Sequence, residues 1–183
     1  MDVPETKVMI IAHDREKTIA SKILLLRYLV RDVCSPDIVV VDNGSTDRTT
    51  KLARRCGCRV IAFSKRLERD SIIRRTFEAG KKGFPDILVI IDVKGENPAD
   101  DAASLIMQSV NEGSGFASAF VQSVKDDETI GCWAMSREIY EKMNFDNGEI
   151  DTLLLELARS ENLRSRTVYE TVEIHGKRKR TKY

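Results

Sequence analysis

Four short apolar runs, KVMIIA (7–12), DIVVVD (37–42), RVIAF (59–63) and DILVIID (86–92), alternate with segments of helical periodicity. Runs of this length, rich in Val and Ile and closed by turn-forming residues, read as strands, KVMIIA and DILVIID as buried ones. Between them, Thr18–Val30 carries Ile19, Ile23, Leu26 and Val30 at helical spacing, with Leu25 and Leu29 widening the face. Ser45 can cap a helix from Thr46 to about Cys56, and Glu68 to about Lys81 forms the next. Asn97 can cap a fourth, with Pro98 in its first position, Asp100 and Asp101 in its first turn, and Leu105, Ile106 and Val110 beyond. Strand–helix alternation predicts a three-layer α/β/α body around a mostly parallel sheet, with right-handed crossovers. In such sheets ligands gather beyond the carboxyl ends of the strands. That rule selects His13–Glu16, Asp42–Asp47 and Asp92–Asn97.

The second half is less regular. Phe116–Val121 and Ile130–Met135 read as strands, Arg137–Met143 as a short helix, Ile150 to about Glu161 as a longer one, and Thr167–Ile174 as a strand with one wetter face. A length of 183 residues with 42% hydrophobic and 32% charged residues suits one globular domain, assigned to 1–176, and a basic tail at 177–183. No window nears the ~18 apolar residues of a spanning helix, and the N-terminal residues do not read as a signal peptide. The expected compartment is the cytoplasm.

The 30 basic and 29 acidic residues nearly balance, so broad nucleic-acid binding is not expected. Lys177, Arg178, Lys179, Arg180 and Lys182 concentrate positive charge in the tail; the rest of the chain is net −4, with 25 basic against 29 acidic residues. A frayed, solvated end accounts for that run. The functional alternative is peripheral contact with an anionic membrane surface. Cys56 and Cys58 are one residue apart, closer than structural zinc pairs, so the four cysteines are expected as reduced, mostly structural thiols.

At the strand ends the order of motifs resembles the nucleotide-sugar half of the family 2 glycosyltransferases, which include dolichol-phosphate mannose synthase. MIIAHDREKTIASKI resembles the family's V-I-P-A-Y-N-E-E-x-T-I segment, VVVDNGSTDRTTKLA its V-V-D-D-G-S-x-D-x-T run, and IIDVKGENPAD its L-D-A-D-G-Q-H-x-P segment. GCWAMSREIYEKM is similar to G-F-R-A-x-x-R-E-V, and GEIDTLLLELARSENLRSRTVYETVEI to the F-E-x-E-x-E-L-L helix and following strand. The matches run in order over about residues 7–175. They imply the GT-A nucleotide-diphospho-sugar transferase fold and a UDP- or GDP-linked sugar as ligand.

Carried over by position, the resemblance implies donor contacts at Ala12, His13, Arg15, Asp42, Gly44, Asp92 and Lys94. Asp42 matches the carboxylate that contacts the nucleoside. Arg15 stands where the family has a uridine-contacting Glu, a reversal of charge. Asp92 is the first Asp of the metal-binding D-x-D motif, and its second Asp is Lys94. The leaving diphosphate needs positive charge, ordinarily Mg²⁺ or Mn²⁺ held by carboxylates. Here two accounts stay open. The Lys94 ammonium replaces the ion, oriented by Asp92, or Asp92 and Glu96 hold a cation weakly beside it. An inverting transferase needs a base unless its acceptor is already an anion. Asp126 and Asp127 lie where such enzymes place acceptor-side groups, and Asp127 is the candidate; both also fit a solvated loop.

Each residue has a plainer role as well. Asp42 can form a turn before Asn43-Gly44, Asp47 suits a helix's first turn, Trp133 suits a core, and Arg15 and Lys94 can be solvated charges. The glycine-rich run that the family places between third and fourth strands reads SKRLERDSIIRRTFEAG here, bulky enough to plug the cleft. Only Gln122–Ile130 separates the fifth strand from the GCWAM segment, shorter than the acceptor-covering insert of polyprenyl-phosphate enzymes. The first expectation is therefore a glycosyltransferase-like donor binder that transfers its sugar to an unidentified acceptor, polyprenyl phosphate among the candidates. The alternative is a catalytically silent nucleotide-sugar-binding or protein-interaction module on the same scaffold. A homo-oligomer covering the sheet edge is compatible with either.

Overall fold

The computed structural model describes residues 3–92, 102–107, 110, 117–124, 128–142 and 166–169. The first half alternates as expected: β1 (Thr6–Ala12), α1 (Ile19–Val30), β2 (Asp37–Asp42), α2 (Thr49–Arg55), β3 (Arg59–Ala62), α3 (Arg69–Lys81) and β4 (Ile87–Asp92). A helical segment, α4, covers 102–107. Then follow β5 (Ala117–Val124), β6 (Glu128–Ser136), α5 (Arg137–Lys142) and β7 (Arg166–Tyr169). The helix expected over 150–161 and the tail lie outside the described residues, as do the expected cap at Asn97 and the first turn after it.

One sheet of seven strands takes the order β3-β2-β1-β4-β6-β5-β7. β1, β2, β3 and β4 are parallel, β6 pairs antiparallel with both β4 and β5, and β5 pairs parallel with β7. The sheet is thus mostly parallel, with β6 as the reversed strand. Gln122 opposes Ile130 and Val124 opposes Glu128, so most of the segment expected as a connection belongs to the ladder.

Two cores lie on opposite faces of the sheet, as the period-2 pleat requires. Val8, Ile10, Val40, Val89 and Ile91 pack with Ile19, Ile23, Leu26 and Val30 of α1 and with Leu105 and Ile106 of α4. Met9, Ile11, Val41, Leu88 and Ile90 pack with Ile72, Ile73 and Phe77 of α3, and with Trp133, Ile139 and Tyr140. The face anticipated for α1 is the buried one, but Leu25 is exposed. One residue is about 100° of helix, which carries Leu25 away from Leu26, whereas Leu29 still reaches the core margin.

Close approach of α3 to the sheet depends on Gly80, where an added Cβ would meet Leu88 Cδ1 at 2.6 Å. Buried Lys7, inside β1, donates to the carbonyl oxygens of Gly80 (3.4 Å) and Lys82. The charge is thereby solvated by the carbonyl end of α3, where the helix dipole favours a cation. Lys7 thus ties the tail of α3 to the amino end of the sheet, and the head of α3 returns to the carboxyl end.

α2 begins three residues after its expected start at Thr46. Ser45 spends its hydroxyl on the Asp42 carboxylate instead of capping. Thr46 and Arg48 give their N–H groups to Asp14 (2.8 Å) and Glu16 (3.2 Å) across the adjoining loop. Asp47 accepts from the Thr49 N–H at 2.9 Å, satisfying a first-turn donor.

Candidate functional site

The carboxyl ends of β2, β1 and β4 lie side by side, with Ala12 opposite Asp42 and Ile11 opposite Asp92. Both aspartates are buried, at 3% and 6% exposure. The pleat sends them to different faces. Asp42 continues the alternation of Ile38 and Val40 toward α1 and α2; Asp92 continues that of Leu88 and Ile90 toward α3. A ligand touching both must therefore arch over the end of β1.

Around Asp42 the site is built from interlocked loops. Its carboxylate accepts from the Ser45 hydroxyl and, at 3.4 Å, from the Ser45 N–H. Asn43 donates its N–H to the Ala12 carbonyl at 2.8 Å. Its side chain grips Leu67 twice, accepting the Leu67 N–H at 2.7 Å and donating to the Leu67 carbonyl at 3.1 Å. Gly44 follows with φ of +71°, packed on the backbone of Lys65 and Arg66.

The β1–α1 loop locks onto the same turn. His13 Nδ1 bonds the Asn43 carbonyl at 2.9 Å, so the ring donates there, and its Nε2 faces Asp14 Oδ2 at 3.5 Å. Asp14, at φ of +49°, takes its backbone proton to Ser45 Oγ at 2.9 Å. The Arg15 N–H donates to Thr49 Oγ1 at 2.7 Å, and the Glu16 N–H to Asp47 at 2.9 Å. Arg48 clasps Glu16 at 3.1 Å, holding the Glu16 carboxyl below its ordinary pKa. Asp47 is pushed up by burial, but hydrogen bonds from Thr49 and the Glu16 N–H prevail and its pKa is lowered. These contacts give Asp47 a structural account.

Among the site candidates, Asp42, Gly44, His13 and Arg15 thus belong to one loop cluster beside Asp92. Ala12 packs its methyl in the core. Lys94, Glu96 and Asp127 lie outside the described residues, and so does Asp126. Trp133 is buried among Ile11, Ile90 and Tyr140. The four cysteines are free thiols. No helix among the described residues is long and apolar enough to cross a membrane.

Two cations emerge that the motif order did not single out. Lys22 stands near Arg15: burial lowers its pKa and the Arg15 charge lowers it further. Arg69, the first residue of α3, reaches Asp92, with Nε 3.9 Å from Oδ2. It comes from the bulky segment named above as able to plug the cleft. Arg66 and Arg75 of that segment are exposed, Arg75 lying over the Phe63 ring. The sequence signal for Arg69 was the basic character of this segment, which holds Lys65, Arg66, Arg69, Arg74 and Arg75.

Among the described residues no three His, Cys, Asp or Glu side chains gather to hold a metal, and Asp92 already has a guanidinium beside it.

No protein-family model and no curated protein matches the sequence. Solved structures do. Glucosyl-3-phosphoglycerate synthase from Mycobacterium tuberculosis in complex with UDP aligns over 96% of this chain and 73% of its own, with 22% identity and a TM-score of 0.67. The same enzyme with Mn²⁺, UDP and phosphoglyceric acid aligns over 91% and 68%, with 21% identity and a TM-score of 0.65. Its complex with Mn²⁺, UDP-glucose and phosphoglyceric acid gives 91%, 70%, 19% and 0.65. Together with the strand order, this likeness establishes the GT-A nucleotide-diphospho-sugar transferase fold.

Proposed function

We propose that the protein binds a nucleotide diphospho-sugar across the carboxyl ends of β2, β1 and β4 and transfers the sugar to an acceptor. The observation that carries this reading is the placement of Asp42 and Asp92, both buried, on either side of the β1 terminus. That is where open α/β sheets take ligands. The structural neighbours were solved with UDP, UDP-glucose and Mn²⁺ or Mg²⁺, which supports a nucleotide-sugar donor on this scaffold. The motif order supports a family 2 enzyme with an altered D-x-D motif. In this reading Asp42 holds the nucleoside, Arg15 meets phosphate, and Lys94 supplies charge where the motif's second Asp stands in the family. An ion held by Asp92 and Glu96 is the competing source of charge.

The acceptor is unidentified; polyprenyl phosphate is one candidate, through the basic tail. Residues 177–182 would bring the protein to an anionic surface. A phosphate acceptor needs no base; any other gives that role to Asp127.

Calorimetry with UDP, GDP and their sugars, with and without Mn²⁺, tests the reading. Expected are binding by wild type, its loss in Asp42→Ala, and slow donor hydrolysis without acceptor. Failure of every nucleotide to bind at millimolar concentration defeats it.

A second reading, a silent binder, has one observation in its favour. Arg69 crowds Asp92, so chemistry that needs that carboxylate for a metal is hindered. Nucleotide binding with neither transfer nor hydrolysis would select it.

A further inference from the structure

Among the described residues seven large apolar side chains are exposed, and three of them fall within five positions of one helix: Leu24 (57%), Leu25 (42%) and Tyr28 (61%). Leu24 and Leu25 lie four and three residues before Tyr28, so the three side chains form one patch. Arg31 extends it, its guanidinium lying 4.1 Å from the Tyr28 ring centroid. The patch is not a margin of the core, because Ile19, Ile23, Leu26 and Val30 occupy the opposite side of α1. We propose that this second apolar face is the interface of a homodimer, in which two copies of the chain lay their α1 helices together antiparallel.

The charges at the ends of the patch identify the occupant. Helical hydrogen bonds run past α1 in both directions, from the Ile19 N–H to the Arg15 carbonyl at 2.9 Å and from the Cys34 N–H to the Val30 carbonyl at 3.0 Å. Lys17 and Asp32 therefore stay close to helical phase, and both fall on the stripe, about 100° wide, that holds Leu24, Tyr28 and Leu25. Both are exposed. Asp32 keeps 81% of its side chain open beside Arg31, and Glu16, the acid next to Lys17, is taken by Arg48.

A two-fold axis passing between Leu24 and Leu25 sets Leu24 against the partner's Leu25 and Lys17 against the partner's Asp32. One pair of opposite charges then closes each end of an apolar centre. Parallel pairing would oppose lysine to lysine and aspartate to aspartate, so charge selects the antiparallel arrangement. Arg27 does not intrude, since it turns aside to the Cys56 carbonyl. A helix of this length extends about 18 Å, and its one face buries less than the about 800 Å² per partner of a standard interface. The dimer is accordingly reversible, with a Kd of about 10 μM or weaker.

The test is sedimentation velocity of the full chain from about 1 to about 200 μM, a range that brackets such a Kd. The wild-type sedimentation coefficient should climb from the monomer value toward the dimer value. Leu24→Glu and Tyr28→Glu, both at exposed positions, should each weaken association by about tenfold or more. Lys17→Glu and Asp32→Lys should each weaken it as well, and the two combined in one chain should restore it. A wild type that stays monomeric throughout overturns the proposal, and needs no variant to do so. So does a dimer that survives both Leu24→Glu and Tyr28→Glu, which would belong to another surface. A double charge reversal no tighter than the single ones refutes the antiparallel pairing.

Discussion

Gly44 is in backbone contact with Arg66: a Cβ on the glycine would lie 2.6 Å from the Arg66 nitrogen. Its φ of +71° is itself unfavourable to a side chain. Gly44→Ala therefore combines left-handed strain with an overlap that no rotamer change relieves, and should cost about 2 kcal/mol or more. Gly57, at φ of +75°, is the control, since its added Cβ would meet nothing nearer than Arg27 at 3.9 Å. Gly57→Ala should cost only about 1 kcal/mol. Urea unfolding of both variants measures the difference; equal midpoints would refute the contact.

Asn43 occupies the position of the second Asp in the family's V-V-D-D-G-S run, and its amide is used from both ends. It accepts from the Leu67 N–H and donates to the Leu67 carbonyl. Asn43→Asp removes the donor and turns a carboxylate oxygen toward that carbonyl. The expected loss is about 1–3 kcal/mol at neutral pH. Lowering the pH restores a proton to donate, so the gap from wild type should narrow in acid. A gap that is constant with pH in parallel thermal melts would count against this pairing.

The contrast between these two neighbours shows what could be read from residues alone. Strand positions, the inward face of α1 and the terminal placement of Asp42 and Asp92 follow from apolar periodicity, a property of adjacent residues. The reversed direction of β6 does not, because a buried run has the same pattern in either direction. Nor does the late start of α2. Ser45 had the right chemistry for a cap, and a carboxylate three residues earlier claimed it. Arg69 was hidden for the same reason. Its significance comes from Asp92, at the end of β4 and distant in sequence, and composition revealed only that the segment was bulky and basic.

Burial raises the pKa of the Cys58 and Cys34 thiols, the nearby Arg27 charge opposing it at Cys58 and a Thr6 hydrogen bond at Cys34. Thiolate is the reactive form, so both should resist alkylation in the native protein. Cys56 is half-buried at the end of α2 and Cys132 is buried in β6. A timed reaction with a coloured thiol reagent should therefore show one fast group, abolished by Cys56→Ser, and three released on denaturation. Two or more fast groups would contradict the burial of the others.

Acid should release the clasp between the β1–α1 and β2–α2 loops. In the folded chain Glu16 titrates below its ordinary 4.5 because the Arg48 side chain and N–H bind its carboxylate. Asp47 titrates below 3.8, since hydrogen bonds from Thr49 and Glu16 outweigh the upward push of burial. Folded values lower than unfolded ones mean that the unfolded chain binds more protons as pH falls. The stabilisation is then complete above about pH 5 and is lost as pH drops through the folded values. Glu16→Gln and Asp47→Asn should each lower the melting temperature at pH 7, and each should draw level with wild type near about pH 2. Arg48→Ala should reproduce the Glu16→Gln profile, because it removes the same contact from the other side. Acid limbs that run parallel to wild type in all three variants would show that the clasp contributes nothing to folding.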